Sequence, residues 1–400
     1  MRGVVEVLFW AYLTSGVAPA VARPADRHRL AIRALEQQVV PLRRGQGLQT
    51  PAPLAQRMIE TQVPGVSIAI IAEGRVRWAR GYGEVAAGSG RRVTRRTTFQ
   101  AASISKAVAA AGALALADRG RLSLDDDVNL RLRTWQVPDD GGASAGAVTL
   151  RQLLGHTAGL TVSGYPGYAS AAVPTIAQSL AGAKPANTPA VRRYAAPGAQ
   201  FGYSGGGYSA AQLVIGESAG RPFADYMRDA VLRRTGMRRS HFDQSRFPQA
   251  IRGAASGHDG KGVLLPNGGN RYPELAAAGL WTTPSDYARF LIALLRAADS
   301  RPGGLLARAS AEAMTTPGLA NYGLGVNVVR TGGRVAITHG GANEGYRCLF
   351  VAFLDGSREG FVVMTNGDNG GALAAAIHRT LAQAYGWPDT SAPPVPRAPY

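Results

Sequence analysis

Two apolar runs start the ordered pattern of this chain. Val66 to Ile71 and Arg75 to Gly83 are β-rich, and Glu73-Gly74 between them is a turn, so the spacing predicts a hairpin. A short helical pattern, Leu54 to Thr61, precedes it and ends before Pro64-Gly65. Phe99 to Gly120 begins with small polar residues, becomes a long Ala/Leu helix pattern and stops at a glycine. Thr149 to Leu160 reads as a helix closed by a turn at Thr157-Ala158-Gly159. Residues 161–200 have little apolar periodicity and predict loops and short helices. Ser209 to Ala219 and Pro222 to Thr235 follow as helices, and Ala276 to Leu280 is small and apolar. Pro284 to Ala298 is a helix with Thr283 as its cap and Phe290, Leu291, Leu294 and Leu295 on one face.

The last third changes period. Gly323 to Val329, Arg334 to Thr338, Tyr346 to Phe353 and Gly360 to Thr365 are β patterns between glycine turns, and a helix runs from about Ala372 to Tyr385. A hairpin near the start and a meander near the end thus flank a helical middle. Antiparallel strands from both parts can share one sheet. The expected fold is α/β (α+β) and two-lobed: an antiparallel sheet flanked by helices, and a mostly helical lobe over about residues 101–280. A cleft between the lobes is where a site is expected.

Charge and the ends of the chain add to this picture. Residues 1–22 read as an export signal: Arg2 is the positive region, Val7 to Val17 the apolar run, and Ala18-Pro19-Ala20 or Ala20-Val21-Ala22 the cleavage site. A periplasmic or secreted location is expected, with an N-terminal helix or tether as the alternative. Residues 23–53 form a lead-in, 54–387 the catalytic domain and 388–400 a Pro-rich tail expected to be disordered. The net charge of +18 comes from 41 arginines and three lysines against 26 acids, scattered singly and in pairs. No dense basic run with interleaved aromatics occurs, so no nucleic-acid partner is expected, and loose association with an anionic cell envelope suits the charge better. The oligomeric state is left open. The single Cys348 excludes an intrachain disulfide and a cysteine-based metal cluster. His28, His241, His258 and His378 have no partners at ligand spacing, so no metal is expected.

The candidate chemistry begins at Ser103-Ile104-Ser105-Lys106. Residues three apart share a helix face, so the Ser103 hydroxyl and the Lys106 amine can meet. A serine needs a base beside it and a field favouring negative charge, and the first turn of a helix supplies that field. A lysine becomes a base when burial lowers its pKa, which an arginine cannot do. Alone the spacing is weak evidence, because 21 serines and three lysines produce such a pair by chance roughly one time in six. Two further motifs can join it. Tyr203-Ser204-Gly205 offers a phenol whose phenolate a neighbouring Lys106 would stabilise for proton transfer. His339-Gly340-Gly341 ends a predicted strand, and the N–H of Ala342 can form an oxyanion hole with that of Ser103.

In this order, the three motifs resemble the serine β-lactamase and penicillin-binding protein superfamily, specifically its class C β-lactamase-like branch with its D,D-peptidases and esterases. VPGVSIAIIAEG at 63–74, LRQLLGHTAGL at 150–160, AAAGLWTTPSDYARF at 276–290 and MTNGDNG at 364–370 are similar to the same branch. The resemblance covers roughly residues 54 to 387. It implies an acyl-enzyme on Ser103, a base role shared by Lys106 and Tyr203, His339 in the third-motif position, and no metal or organic cofactor. It also implies a substrate pocket including Gly340, Gly341, Asn343 and Glu344, and a structural role for His156. The substrate is a β-lactam, a D-amino-acyl peptide or a small ester. The alternative is a penicillin-recognising sensor that deacylates slowly. Two departures matter. Gly205 stands where the branch has Asn, and His339 stands where its dedicated β-lactamases have Lys. A cationic His339 would hold substrate carboxylates less well as pH rises through about 6 to 8.

Overall fold

The computed structural model describes residues 24–41, 50–139, 145–391 and 396–399, so the expected export signal lies outside the described residues. Helix α1 (Pro24–Gln37) lies in the lead-in, and α2 (Leu54–Glu60) follows. The hairpin forms as expected from β1 (Gly65–Ala72) and β2 (Arg75–Gly83). It belongs to a six-stranded antiparallel sheet in the order β2-β1-β8-β7-β6-β5, with β5 (Asn327–Thr331), β6 (Arg334–Asn343), β7 (Tyr346–Phe353) and β8 (Gly360–Thr365) from the end of the chain.

The two-residue period of a strand explains how this sheet is held. Val66, Ile68 and Ile70 of β1 join a cluster with Leu35 of α1 and Leu373, Ile377 and Leu381 of α12 (Gly370–Tyr385). Ala69 and Ile71 point the other way, into the larger core with Leu291 and Leu294 of α10 (Pro284–Ala298). Every residue of β1 is therefore buried, while β2 at the edge alternates toward solvent.

The rest of the larger core comes from α3 (Ser105–Ala117), α4 (Leu150–Leu154), α5 (Ile176–Ala181), α6 (Gly205–Ala219), α7 (Phe223–Met227) and α9 (Leu275–Ala278). A π-helical turn, Arg228–Leu232, links α7 to α8 (Arg233–Thr235), so the helix predicted over Pro222 to Thr235 is distorted in its middle. The remaining helix, α11 (Arg308–Thr315), packs on α10.

Four local differences from the sequence reading place the site. Phe99–Gln100 is not the start of a helix but a short strand, β3, paired with β4 (Trp281–Thr282). A 3₁₀ turn, Ala102–Ile104, follows it, and α3 starts only at Ser105. Strand β6 extends five residues beyond Thr338, because His339 to Asn343 stay in register with β7 up to the two-residue turn at Glu344-Gly345. Helix α6 starts at Gly205 despite three glycines, because the Ser204 hydroxyl caps it by accepting from the Gly207 N–H at 2.9 Å. The tail, expected to be disordered, is bonded where it is described: Ala398 N–H donates to the Tyr203 carbonyl at 3.0 Å.

Candidate active site

The site lies where the 3₁₀ turn, the N-terminus of α6 and the edge of β6 converge on a cleft of about 660 Å³. Ala102, before the serine, has φ +49°, a left-handed conformation that a residue with a Cβ adopts only at a cost. It turns Ser103 out of the core, leaving it half-buried at the cleft while Ala102 and Ile104 on either side are buried. Gly341 of β6 presses against the same turn: a Cβ there would stand 2.5 Å from the Ala101 carbonyl oxygen. The strand edge and the serine are thus positioned by one contact.

Lys106 lies one turn on and only 2% exposed. Its Nζ is 3.3 Å from Ser103 Oγ and donates to the Ala277 carbonyl at 2.9 Å. The rings of Tyr203 and Tyr208 lie 4.9 and 5.4 Å away. Burial, and secondarily the Arg397 guanidinium, lower its pKa to about 7. A neutral amine with one hydrogen held by Ala277 presents its lone pair to the Ser103 hydroxyl. The structure thus brings Ser103 and Lys106 together.

Burial raises the pKa of Tyr203 by more than its interaction with the Ser103 side chain lowers it, so it rests as a neutral phenol. The expectation of a stabilised phenolate is corrected: the deprotonated partner near neutral pH is Lys106. His339 is corrected in the same way. Its ring is buried, and burial and then the Lys106 charge lower its pKa to about 4. Its Nδ1 faces the Gly340 carbonyl at 2.5 Å and its Nε2 the Tyr322 hydroxyl at 3.0 Å. A neutral imidazole donates to the Gly340 carbonyl from Nδ1 and accepts from Tyr322 at Nε2. The loss of carboxylate affinity expected of a cationic His339 between pH 6 and 8 is thus not expected from this side chain.

Asn343 and Tyr346 flank the turn as a hydrogen-bonded pair, so Ala342 opposite Arg347 is a non-bonded one. β5 pairs with β6 only as far as Thr338. The Ala342 amide therefore points from the free edge of β6, the direction an oxyanion donor needs. Gly340, Gly341 and Asn343 also line the cleft. The Asn343 amide is committed elsewhere, donating to Gln100 Oε1 at 2.7 Å and to the Ala278 carbonyl at 3.3 Å. Glu344 is not among the lining residues; it lies past the strand end, paired with Asn270 Nδ2 at 2.5 Å. His156 is buried and accepts from the Ser204 N–H at 3.0 Å, holding the tyrosine segment in place as its structural reading implies.

Sequence reasoning missed Tyr165, Ala277, Tyr322 and Arg397. A Cβ on Gly205 would stand 3.2 Å from the Tyr165 ring, so that ring takes up space an asparagine would need. Tyr322 and Arg397 come from segments without local periodicity. Only the adjacent glycines Gly340-Gly341 pointed to close backbone approach at the cleft.

A serine opposed by a lysine one turn on, on this antiparallel sheet with its helical lobe, is the arrangement to compare with known families. A family model described as beta-lactamase matches residues 52–385, and the chain belongs to that family. It is 26% identical over 229 residues to "Protein flp" of Staphylococcus aureus, which covers 56% of this chain and 42% of that protein. It is 28% identical over 157 residues to a D-aminopeptidase of Brucella anthropi, covering 38% of this chain and 29% of the other. The chain thus spans less than half the length of these curated relatives. Among solved structures, the octameric penicillin-binding protein homologue from Pyrococcus abyssi superposes with a TM-score of 0.68 at 26% identity, over 83% of this chain and 76% of that one.

Proposed function

We propose that this chain is a class C β-lactamase-like hydrolase that forms an acyl-enzyme on Ser103, with D-amino-acyl amides or peptides, or their esters, as its substrates. The observation that carries the reading is the buried Lys106 amine, its pKa lowered to about 7, 3.3 Å from Ser103 Oγ. The D-aminopeptidase relative supports the substrate class.

In the proposed cycle Lys106 accepts the Ser103 proton, and Oγ attacks the carbonyl carbon. The tetrahedral oxyanion is received by the N–H groups of Ser103 and Ala342. The proton passes from Lys106 through the Tyr203 phenol to the leaving nitrogen or oxygen, and the C–N or C–O bond breaks. Water then attacks the acyl carbon, its proton going to Lys106; the bond from that carbon to Oγ breaks, Lys106 returns the proton to Oγ, and the acid leaves with Ser103 regenerated.

Intact-mass measurement after mixing with D-alanyl p-nitroanilide, a p-nitrophenyl ester and a penicillin tests this. A transient adduct of the acyl mass on the peptide containing Ser103, with turnover of the D-alanyl donor, is the expected result. No adduct from any donor would sink the acyl-enzyme, and a penicilloyl adduct stable for hours with no turnover would favour the sensor reading instead.

The pH profile is a second expected outcome. Below about pH 7 Lys106 is an ammonium and cannot accept the proton; above it the amine is free. Hydrolysis of a neutral ester should therefore rise roughly tenfold between pH 6 and 8 and then level, since deprotonation through a pKa near 7 changes the base fraction by that much. A flat profile of initial rates would contradict Lys106 as the base.

A further inference from the structure

The described end of the tail runs along the segment that carries Tyr203. Tyr203 N–H donates to the Pro396 carbonyl at 2.8 Å, Ala398 N–H donates to the Tyr203 carbonyl at 3.0 Å, and Val162 N–H donates to the Pro399 carbonyl at 2.8 Å. These bonds set the register, with Arg397 opposite Tyr203 in a parallel bridge. Neighbouring side chains of an extended segment point to opposite sides. Ala398 is buried, while Arg397 is exposed and lines the cleft.

The charge of the cleft makes this arginine significant. Among the described residues no Asp or Glu lines it. Of its basic groups, His339 is neutral at pH 7 and Lys106 is close to its titration point. Arg347 is compensated by Asp368 at 2.9 Å and donates to the Asn343 and Tyr346 carbonyls. Arg397 has no carboxylate partner among the described residues. Its guanidinium fork matches the two oxygens of a carboxylate.

We propose that Arg397, brought to the cleft by the tail, receives the carboxylate of an anionic substrate and so supplies the cation that His339 does not. This rests on the acyl-enzyme reading of the same cleft. It makes the substrate an acyl donor with a free carboxylate, such as a peptide ending in a D-residue. The tail's described main-chain bonds go to residues 162 and 203 on the helical side, and none goes to Gly340 or Ala342 on the facing edge of β6.

Calorimetric titration of the full chain with N-acetyl-D-alanine and with N-acetyl-D-alaninamide, at low ionic strength, tests the role without needing turnover. The wild type should bind the carboxylate about five- to tenfold more tightly than the amide, the scale of one charge-assisted pair at a partly exposed site. Arg397→Gln should bring the ratio to about one, and Arg397→Lys should keep part of it. Raising the salt to about 0.5 M should shrink the wild-type ratio. A ratio unchanged in Arg397→Gln, no preference in the wild type, or tighter binding of both ligands by the variant would overturn the proposal. Hydrolysis of p-nitrophenyl acetate by the wild type against Ser103→Ala reports separately on the acyl-enzyme. If that hydrolysis does not depend on Ser103 while the carboxylate preference behaves as expected, Arg397 stands and the chemistry falls. If the preference fails while hydrolysis depends on Ser103, only Arg397 falls.

Discussion

Lys106→Met is expected to lower ester hydrolysis by at least about 10³-fold and, at pH 7, to raise the thermal midpoint by a few degrees. The loss of activity follows from the geometry: Tyr203 is held as a phenol by burial, and the Nε2 lone pair of the neutral His339 ring is taken up by the Tyr322 hydroxyl. The gain in stability follows from linkage. In the unfolded chain the lysine holds its proton up to about 10.5, and in the folded protein only up to about 7. Folding at pH 7 therefore forces a buried amine away from its preferred charged state. The cost is absent above about 10.5, grows as pH falls toward 7, and then levels. A methionine of similar length removes it. The Ala277 carbonyl loses its donor, which takes back about 1 kcal/mol, so a net gain of roughly 1–3 kcal/mol is expected. Calorimetric scans of both proteins at pH 7 and pH 10 check this, and a lower midpoint at pH 7 for the variant would show that Lys106 is not strained by burial. Ser103→Ala should lose about 10⁴-fold, and the double variant no more than that, because the two side chains act as one unit.

Gly341→Ala is expected to lower hydrolysis about 100-fold and stability by about 1–3 kcal/mol. The added methyl would lie 2.5 Å from the Ala101 carbonyl oxygen and 3.2 Å from Ala102 Cβ. Neither neighbour can turn aside like the end of a flexible chain. The Ala101 oxygen is backbone, and Ala102 already sits at φ +49°. Either β6 or the 3₁₀ turn must shift. Both shifts change the distance between Ser103 and the Ala342 amide. Chemical denaturation gives the stability, and kcat with a p-nitrophenyl ester gives the activity. A variant that loses stability but keeps kcat would show that the turn relaxes without moving Ser103.

How legible the site was differs residue by residue. Ser103 and Lys106 were legible because helical spacing alone brings residues three apart together, even though the serine lies in a 3₁₀ turn before the helix. Tyr203 and His339 were placed by motif order, but their protonation was misjudged. Sequence shows which groups can titrate and not how deeply each is buried, and burial leads the shift in both. Glu344 was drawn into the pocket because it follows the third motif. Its position past the end of β6 depends on where the turn falls.

Patterning alone determined the hairpin, the meander and the α10 helix, because each is set by residues within one period of each other. That the hairpin and the meander share one sheet was open in the pattern, and the long-range pairing of β1 with β8 decided it. Only the tertiary structure decided the electrostatics. The lowered pKa of the Lys106 amine, the neutral ring of His339 and the Arg397 guanidinium, which has no carboxylate partner among the described residues, depend on segments far apart in sequence. Ala277 lies 171 residues from Lys106, and Arg397 pairs with Tyr203 from the far end of the chain. No local pattern encodes such distances, because desolvation and charge are properties of everything that surrounds a group in space.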